Sequence, residues 1–422
     1  MDTNDKIKKM NRKKYTIGET FVGAGGSHLG FKEIGFEVVF INDCEKEYLE
    51  TIVFNNPELK ENCFIINDYI QNINTKEILK KANIKKGDLD VLFGGVVCKG
   101  FSLAGVRDPN DIRNTLYKEQ LRLVKDLRPK FSVIENVPGM QNLKITSSKT
   151  PQKIKDKITE TWKMIDKFKG IKSDLTKKNL DLSKKELQKL EEIKERKKEL
   201  EQLLLKTSIS VVEDIENIYT DLGYTLYKSK LKSHWYGAAT NRERLILIAV
   251  RNDLKIKNFE FPKKEFDYDL DKKPKTINQA LKEIDYKGKN NPLKDNDNQP
   301  MNHSPKSIAR FKLIPEGKNI VEVLDKVPDE LKISGYYSRG CTMRLDRNKC
   351  APTLVPGHSN FPVHPTEHRS ITVREAAVIS GFPLNYKFFG SHTLRCEQVG
   401  QAVPPPMAKA IAKQIKKYLD NL

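Results

Sequence analysis

No two of the six cysteines (Cys44, Cys63, Cys98, Cys341, Cys350 and Cys396) stand in a C-x-x-C pair. That absence argues against a zinc site or a disulfide framework and points to a reducing compartment. No apolar run approaches membrane-spanning length, and Met1-Asp2-Thr3-Asn4-Asp5-Lys6 lacks a hydrophobic signal core. Together these absences predict a soluble, intracellular protein with neither a membrane nor a metal among its partners. Acidic residues are in deficit too: 56 Asp and Glu face 76 Lys and Arg, a formal charge of +20 over 422 residues. Such a surplus favours a polyanionic partner, most simply nucleic acid. Lys far outnumbers Arg and Asn is frequent, as A·T-rich codon usage would produce, so charge alone does not decide the partner. The length allows two or three domains.

What is present is an alternation of strand-like and helix-like segments over the first 140 residues. Segments 15–22, 36–41, 63–68, 89–93 and 131–137 read as strands, which predicts a doubly wound, mostly parallel α/β sheet. The turn Gly23-Ala24-Gly25-Gly26 after the first strand lets backbone approach a ligand at a helix N-terminus. Asp43 closes the second strand about 20 residues on, where dinucleotide folds bind a ribose diol. Asp68 ends the third and could accept from an adenine amino group. Each aspartate alone reads better as a helix N-cap; together they describe a pocket for an adenosine-containing cofactor. Cys98 follows the fourth strand and the break at Gly94-Gly95, at the carboxyl end of a strand, where open sheets hold their chemistry. By position alone a small buried hydrophobe fits it as well.

Six segments, in one order, carry a family resemblance. Phe21-Val22-Gly23-Ala24-Gly25-Gly26 resembles F-x-G-x-G-G, and Gly95-Val96-Val97-Cys98-Lys99-Gly100-Phe101-Ser102 a P-C-Q loop. Glu135-Asn136-Val137 is similar to E-N-V, and Asn241-Arg242-Glu243-Arg244 to Q-x-R-x-R. Arg369-Ser370-Ile371-Thr372-Val373-Arg374-Glu375, with Gly381-Phe382-Pro383, resembles R-x-x-T-x-R-E followed by F-P. Val399-Gly400-Gln401-Ala402-Val403-Pro404-Pro405 resembles G-N-A-V-P-P. The set is that of the cytosine-C5 DNA methyltransferases, which implies a methyltransferase fold, duplex DNA as substrate and S-adenosylmethionine as cofactor.

The chemistry explains the residue types. Cytosine C5 is a poor nucleophile until a group adds to C6, and a thiolate does this best because it also leaves. The resemblance assigns that step to Cys98, the donor to N3 to Glu135, the contact with the cytosine carbonyl to Arg244, and its partner role to Arg242. Without Cys98 and Glu135, the two arginines would read as a solvated ion-pair face with Glu243. The resemblance further implies that Phe21, Gly23, Gly25, Gly26, Asp43, Asp68, Gly95, Leu116, Gln401 and Ala402 hold the cofactor. The target carbon is inaccessible in a stacked duplex, so base flipping is implied, with residues 99–116 as the loop over the extruded base. Val97, Lys99, Ala239-Thr240 and Gln401 stand where the family has proline, glutamine, Pro-Gln and asparagine. All four proposed catalytic residues are kept, which implies an active enzyme.

The expected organisation is a catalytic domain over 1–252, target recognition over 253–340, and C-terminal motifs over 341–422 returning to the catalytic domain. Within the first, residues 144–210 form a Lys/Glu-rich insertion. Ile154, Ile158, Trp162, Ile165 and Phe168 are spaced for one helix. Leu187, Leu190, Ile193, Leu200 and Leu204 fit a second, opened by Ser183-x-x-Glu186, with Gly170 between the two. A solvated spacer is the favoured reading of this hairpin. The resemblance implies the modification half of a bacterial restriction system: a cytoplasmic monomer on DNA, sharing its site with a cognate endonuclease. A cytosine-C5 methyltransferase of transfer RNA is the alternative enzyme, but its Cys-Phe-Thr signature is absent, since Cys341 and Cys350 precede Thr342 and Ala351. A non-catalytic DNA-binding relative is the third reading.

Overall fold

The computed structural model describes residues 14–96, 116–147, 150–177, 183–334, 340–357 and 361–422. Five short strands form a parallel centre: β1 (Thr16–Thr20), β2 (Glu37–Asp43), β3 (Phe64–Asn67), β4 (Val91–Gly94) and β5 (Phe131–Asn136). β4 and β5 are buried throughout and β2 at all but its first residue, as befits strands covered on both faces. β6 (Lys144–Thr146) and β7 (Ser208–Ser210) pair as a separate ribbon. β8 (Tyr224–Lys232) and β9 (Glu243–Arg251) extend the main sheet in the order β3-β2-β1-β4-β5-β9-β8, with β9 antiparallel to both neighbours. The sheet is therefore mixed, five parallel strands with an antiparallel pair at one side.

The principal helices are α1 (Gly26–Ile34), α2 (Lys46–Asn55), α3 (Leu116–Leu127), α4 (Gln152–Lys177), α5 (Lys184–Thr207), α6 (Val211–Asp221), α7 (Val373–Ile379), α8 (His392–Gln401) and α9 (Pro405–Leu419). α1 and α9 cover one face of the sheet, where Ile17, Phe31, Phe93, Ile248 and Ile411 share a core. α3 and α6 cover the other through Leu121, Val124, Ile215 and Tyr219. Two glycines set how closely the first pair approaches. A Cβ on Gly30 would stand 2.4 Å from Lys409 N, and one on Gly26 would stand 1.9 Å from Val403 O. The end of the chain is thus locked against the first glycine turn. No helix among the described residues is long and apolar enough to cross a membrane.

The insertion is a pair of long helices. Ile158, Ile165, Phe168, Ile193 and Leu200 form a core of their own, flanked by Ile154, Trp162, Leu190 and Leu203. The expected capping box is formed, with Ser183 N–H donating to Glu186 Oε2 at 2.8 Å and Glu186 N–H to Ser183 Oγ at 3.4 Å. Gly170 does not mark the turn as expected. It lies inside α4, where a lone glycine costs only about 1 kcal/mol and is outweighed by the interhelical core. The side chains of Leu187 and Leu204 lie outside the described residues.

Beyond β9, Phe259 joins the main core beside Tyr418 of α9. Residues 277–284 pack through Ile277, Ala280 and Ile284 on α7 and Phe382. Phe311, Ile314, Ile320, Val327 and Val363 form a further small core.

Candidate active site

Strand polarity gathers the predicted residues. The carboxyl ends of β1, β2, β4 and β5 lie at one edge, and the strand order reverses between β1 and β4, the switch point where open α/β sheets bind ligands. Because β9 runs the other way, its first residues reach this same edge: Asn136 pairs with Leu245, so Arg244 stands beside the end of β5. Glu135 and Arg244 form an ion pair there, with Nε 2.8 Å from Oε1 and side chains only 10% and 9% exposed. Arg244 Nη1 also donates to Glu243 O at 2.7 Å. Both motif arginines are buried, which excludes the solvated ion-pair face.

Arg242 is occupied differently. Its Nη1 donates to Gly400 O at 2.7 Å and Leu354 O at 3.4 Å, and its Nη2 to Gln401 O at 2.8 Å. Burial without a bonded carboxylate, and then the charge of Arg244, lower its pKa well below the usual arginine value. Arg242 thus fastens the Gly400-Gln401-Ala402 segment to the start of β9. Gln401 is exposed, and Ala402 is 9% exposed.

The cofactor residues lie along the same edge. Phe21 takes a left-handed conformation (φ 50°) before Gly23 (φ 54°) and Gly25 (φ 79°), so the turn doubles back under α1. Among the described residues a Cβ on Gly23 would meet nothing within 4 Å, leaving an open cradle above the backbone. Asp43 closes its side: Oδ2 accepts Gly23 N–H at 2.9 Å and Oδ1 accepts Glu45 N–H at 3.1 Å. Burial holds its carboxyl above the usual carboxylate range despite these bonds. Asp68 is exposed, its Oδ1 accepting from Tyr69 N–H and Asn72 Nδ2. Phe21 and Leu116 both pack, partly buried, against one core. A Cβ on Gly95 would stand 3.4 Å from Phe21 O and 3.9 Å from Glu135 Oε2, so the glycine turn and the Glu135 pair are contiguous. An open glycine cradle, a carboxylate beside it and apolar walls fit an adenosine cofactor. Cys98, with Val97, Lys99 and the loop up to 115, lies outside the described residues.

Several supports were not singled out from the sequence. Asn136 Nδ2 donates to Val96 O at 3.2 Å, fixing the chain two residues before Cys98. Tyr386 Oη donates to Ala24 O at 2.6 Å inside the glycine turn. Glu19, fully buried on β1, accepts Ser27 Oγ at 2.6 Å, with His28 Nδ1 at 3.2 Å from its other oxygen. Asn136 lay within a recognised motif; the other two are linked only by the fold. The R-x-x-T-x-R-E motif is scaffold. Arg369 pairs bidentately with Glu375, Thr372 caps α7, and Arg374 binds Asp295 at 2.8 Å and Asp297 at 3.3 Å.

A methyltransferase sheet bearing a buried acid–arginine pair beside a nucleotide cradle defines the class. The family model for C-5 cytosine-specific DNA methylases matches residues 15–162 and 198–417, and the chain belongs to that family. It is an S-adenosylmethionine-dependent DNA cytosine-C5 methyltransferase. Similar proteins include the Type II methyltransferase M.Eco47II of Escherichia coli, 26% identical over 98% of this chain and 82% of that one. M.FnuDI of Fusobacterium nucleatum is 27% identical over 95% and 94%. The fold is shared with a prophage-encoded DNA modification methyltransferase of E. coli: TM-score 0.63, 22% identity, 96% and 100% covered.

Proposed function

We propose that the Glu135–Arg244 pair and Cys98 perform the methylation of a cytosine flipped out of duplex DNA. The observation that carries this reading is the buried ion pair beside Gly95, three residues before Cys98 in the chain. In this account the Cys98 thiolate adds to C6 while Glu135 donates to N3, and Arg244 orients Glu135 and binds the cytosine carbonyl. When bound, S-adenosylmethionine supplies the methyl group that C5 takes. Loss of the C5 proton and β-elimination then free Cys98. Phe21, Gly23, Gly25, Gly26, Asp43, Asp68, Gly95, Leu116, Gln401 and Ala402 are assigned to the cofactor. Residues 253–340 are assigned to base recognition, with Phe311, Ile314, Ile320 and Val327 as their structural support. The Type II names of the relatives support a restriction–modification role; a bacterial cytoplasm, a cognate endonuclease on the same site and a monomer acting on DNA are assigned along with it.

Calorimetry tests the cofactor assignment. Asp43→Ala is expected to weaken S-adenosylmethionine binding by about 1–3 kcal/mol, the scale of hydrogen bonds to a charged group, and to change the rate at saturating cofactor less. Because burial raises the Asp43 carboxyl, acidification should weaken binding at a pH where an ordinary carboxylate is still ionised. In Asp43→Asn this early loss should disappear. Unchanged affinity in Asp43→Ala would make Asp43 a tie for the glycine turn alone.

The insertion is assigned as a spacer. The family model omits residues 163–197, its outer part, and exposed basic and acidic side chains there pair with one another, as in Lys194–Glu191 and Arg196–Glu192. Replacing 163–197 by a short turn should leave both the methylated sequence and the salt dependence of binding to non-cognate duplex unchanged. That salt slope counts the phosphates contacted, so a markedly shallower one would make the hairpin a backbone clamp.

A further inference from the structure

Asp214 is buried, 4% exposed, in the first turn of α6, beside Val211 and Ile215 of the apolar core. A carboxylate in such a place is costly unless it is bonded. Its Oδ2 accepts the hydroxyl of the fully buried Tyr117 at 2.6 Å, and Lys118 Nζ lies 3.9 Å away. Burial and the neighbouring Asp214 raise the phenol pKa far above its usual value, so the hydroxyl stays a donor. Tyr117 directly follows Leu116, where the stretch that carries Cys98 ends and α3 begins.

A second buried tie holds the same turn: Thr20 Oγ1 donates to Gln120 Oε1 at 2.5 Å. At the other end of the stretch, Asn136 holds Val96 O. An acid in the first turn of α6 is favoured by the helix dipole, but Glu213 supplies that charge next door while remaining exposed. The dipole therefore does not account for an acid placed in the core. Two apolar side chains would fill the space with no group to satisfy; a phenol–carboxylate bond adds direction, fixing the rotation of α3 against α6.

We propose that Asp214, acting through Tyr117, is a positioning residue for methyl transfer. It sets where the first turns of α3 stand against the ends of β1 and β4, where Gln120 meets Thr20 and Gly94. This rests on the assignment of Cys98 above.

The test separates position from stability. In the double variant Tyr117→Phe/Asp214→Val both partners are removed and no buried group is left unbonded, so the melting temperature should stay near native. S-adenosylmethionine affinity should fall less than the rate, since Leu116 is one of several residues assigned to the cofactor, while single-turnover methyl transfer to unmethylated plasmid DNA at saturating cofactor slows about tenfold or more, as small misplacements of reacting groups do. Asp214→Asn keeps an acceptor for the phenol and should transfer near the native rate, unlike Asp214→Val. Native transfer by the double variant would overturn the proposal, as would equal slowing of the Asn and Val variants. Failure of the Cys98 assignment would appear separately, as a native protein that forms no adduct on 5-fluorocytosine duplex.

Discussion

Glu135→Gln is expected to slow methyl transfer by about 10²–10⁴-fold, the usual contribution of a positioned acid–base group. The amide keeps the volume and can still meet N3, but it has no proton to give as charge develops on the ring. Cofactor affinity should change little, because Glu135 faces Gly95 and Arg244 and, among the described residues, makes no bond to the glycine turn. Labelled S-adenosylmethionine in a single turnover reads the rate, and calorimetry reads the affinity. A rate within tenfold of native would remove Glu135 from the chemistry. Arg244→Ala should damage both activity and folding, since it strands a carboxylate that is only 10% exposed; breaking a buried pair costs about 3–5 kcal/mol. Arg244→Lys restores the charge but not the ion pair to Glu135 together with the hydrogen bond to Glu243 O, and should recover stability better than rate.

The sequence was most legible where one element carries the signal. β1 to β5 lie within a residue or two of the apolar segments 15–22, 36–41, 63–68, 89–93 and 131–137, since buried parallel strands must be nearly continuous in apolar residues. The addition of β8 and β9 was not read. β9 is as apolar as the others, but nothing in it reports its direction, and that direction is what brings Arg244 to Glu135. The hairpin was visible from its spacing, although Gly170 misplaced its turn.

Roles were less legible than positions. Arg242 and Arg244 look equivalent in Asn241-Arg242-Glu243-Arg244, yet one binds three carbonyls of distant segments and the other a carboxylate. The carboxylates bound by Arg374, the acceptor of the Tyr386 hydroxyl and the phenol donating to Asp214 lie 77 or more residues away, and no local pattern records such pairs. A motif therefore identified the family correctly while concealing which of its members hold the scaffold.

The central claim is that Cys98 attacks the base, and covalent trapping tests it most directly. Duplex DNA synthesised with 5-fluorocytosine in place of cytosine is incubated with the protein and S-adenosylmethionine, and the products are separated under denaturing conditions. Fluorine cannot leave C5 as a proton does, so β-elimination should stall after methyl transfer and leave protein bound to DNA through the Cys98 sulfur. Cys98→Ala should form no adduct and have no measurable methyl transfer, while binding S-adenosylmethionine nearly as the native protein does. A denaturation-resistant adduct formed by Cys98→Ala would contradict the account.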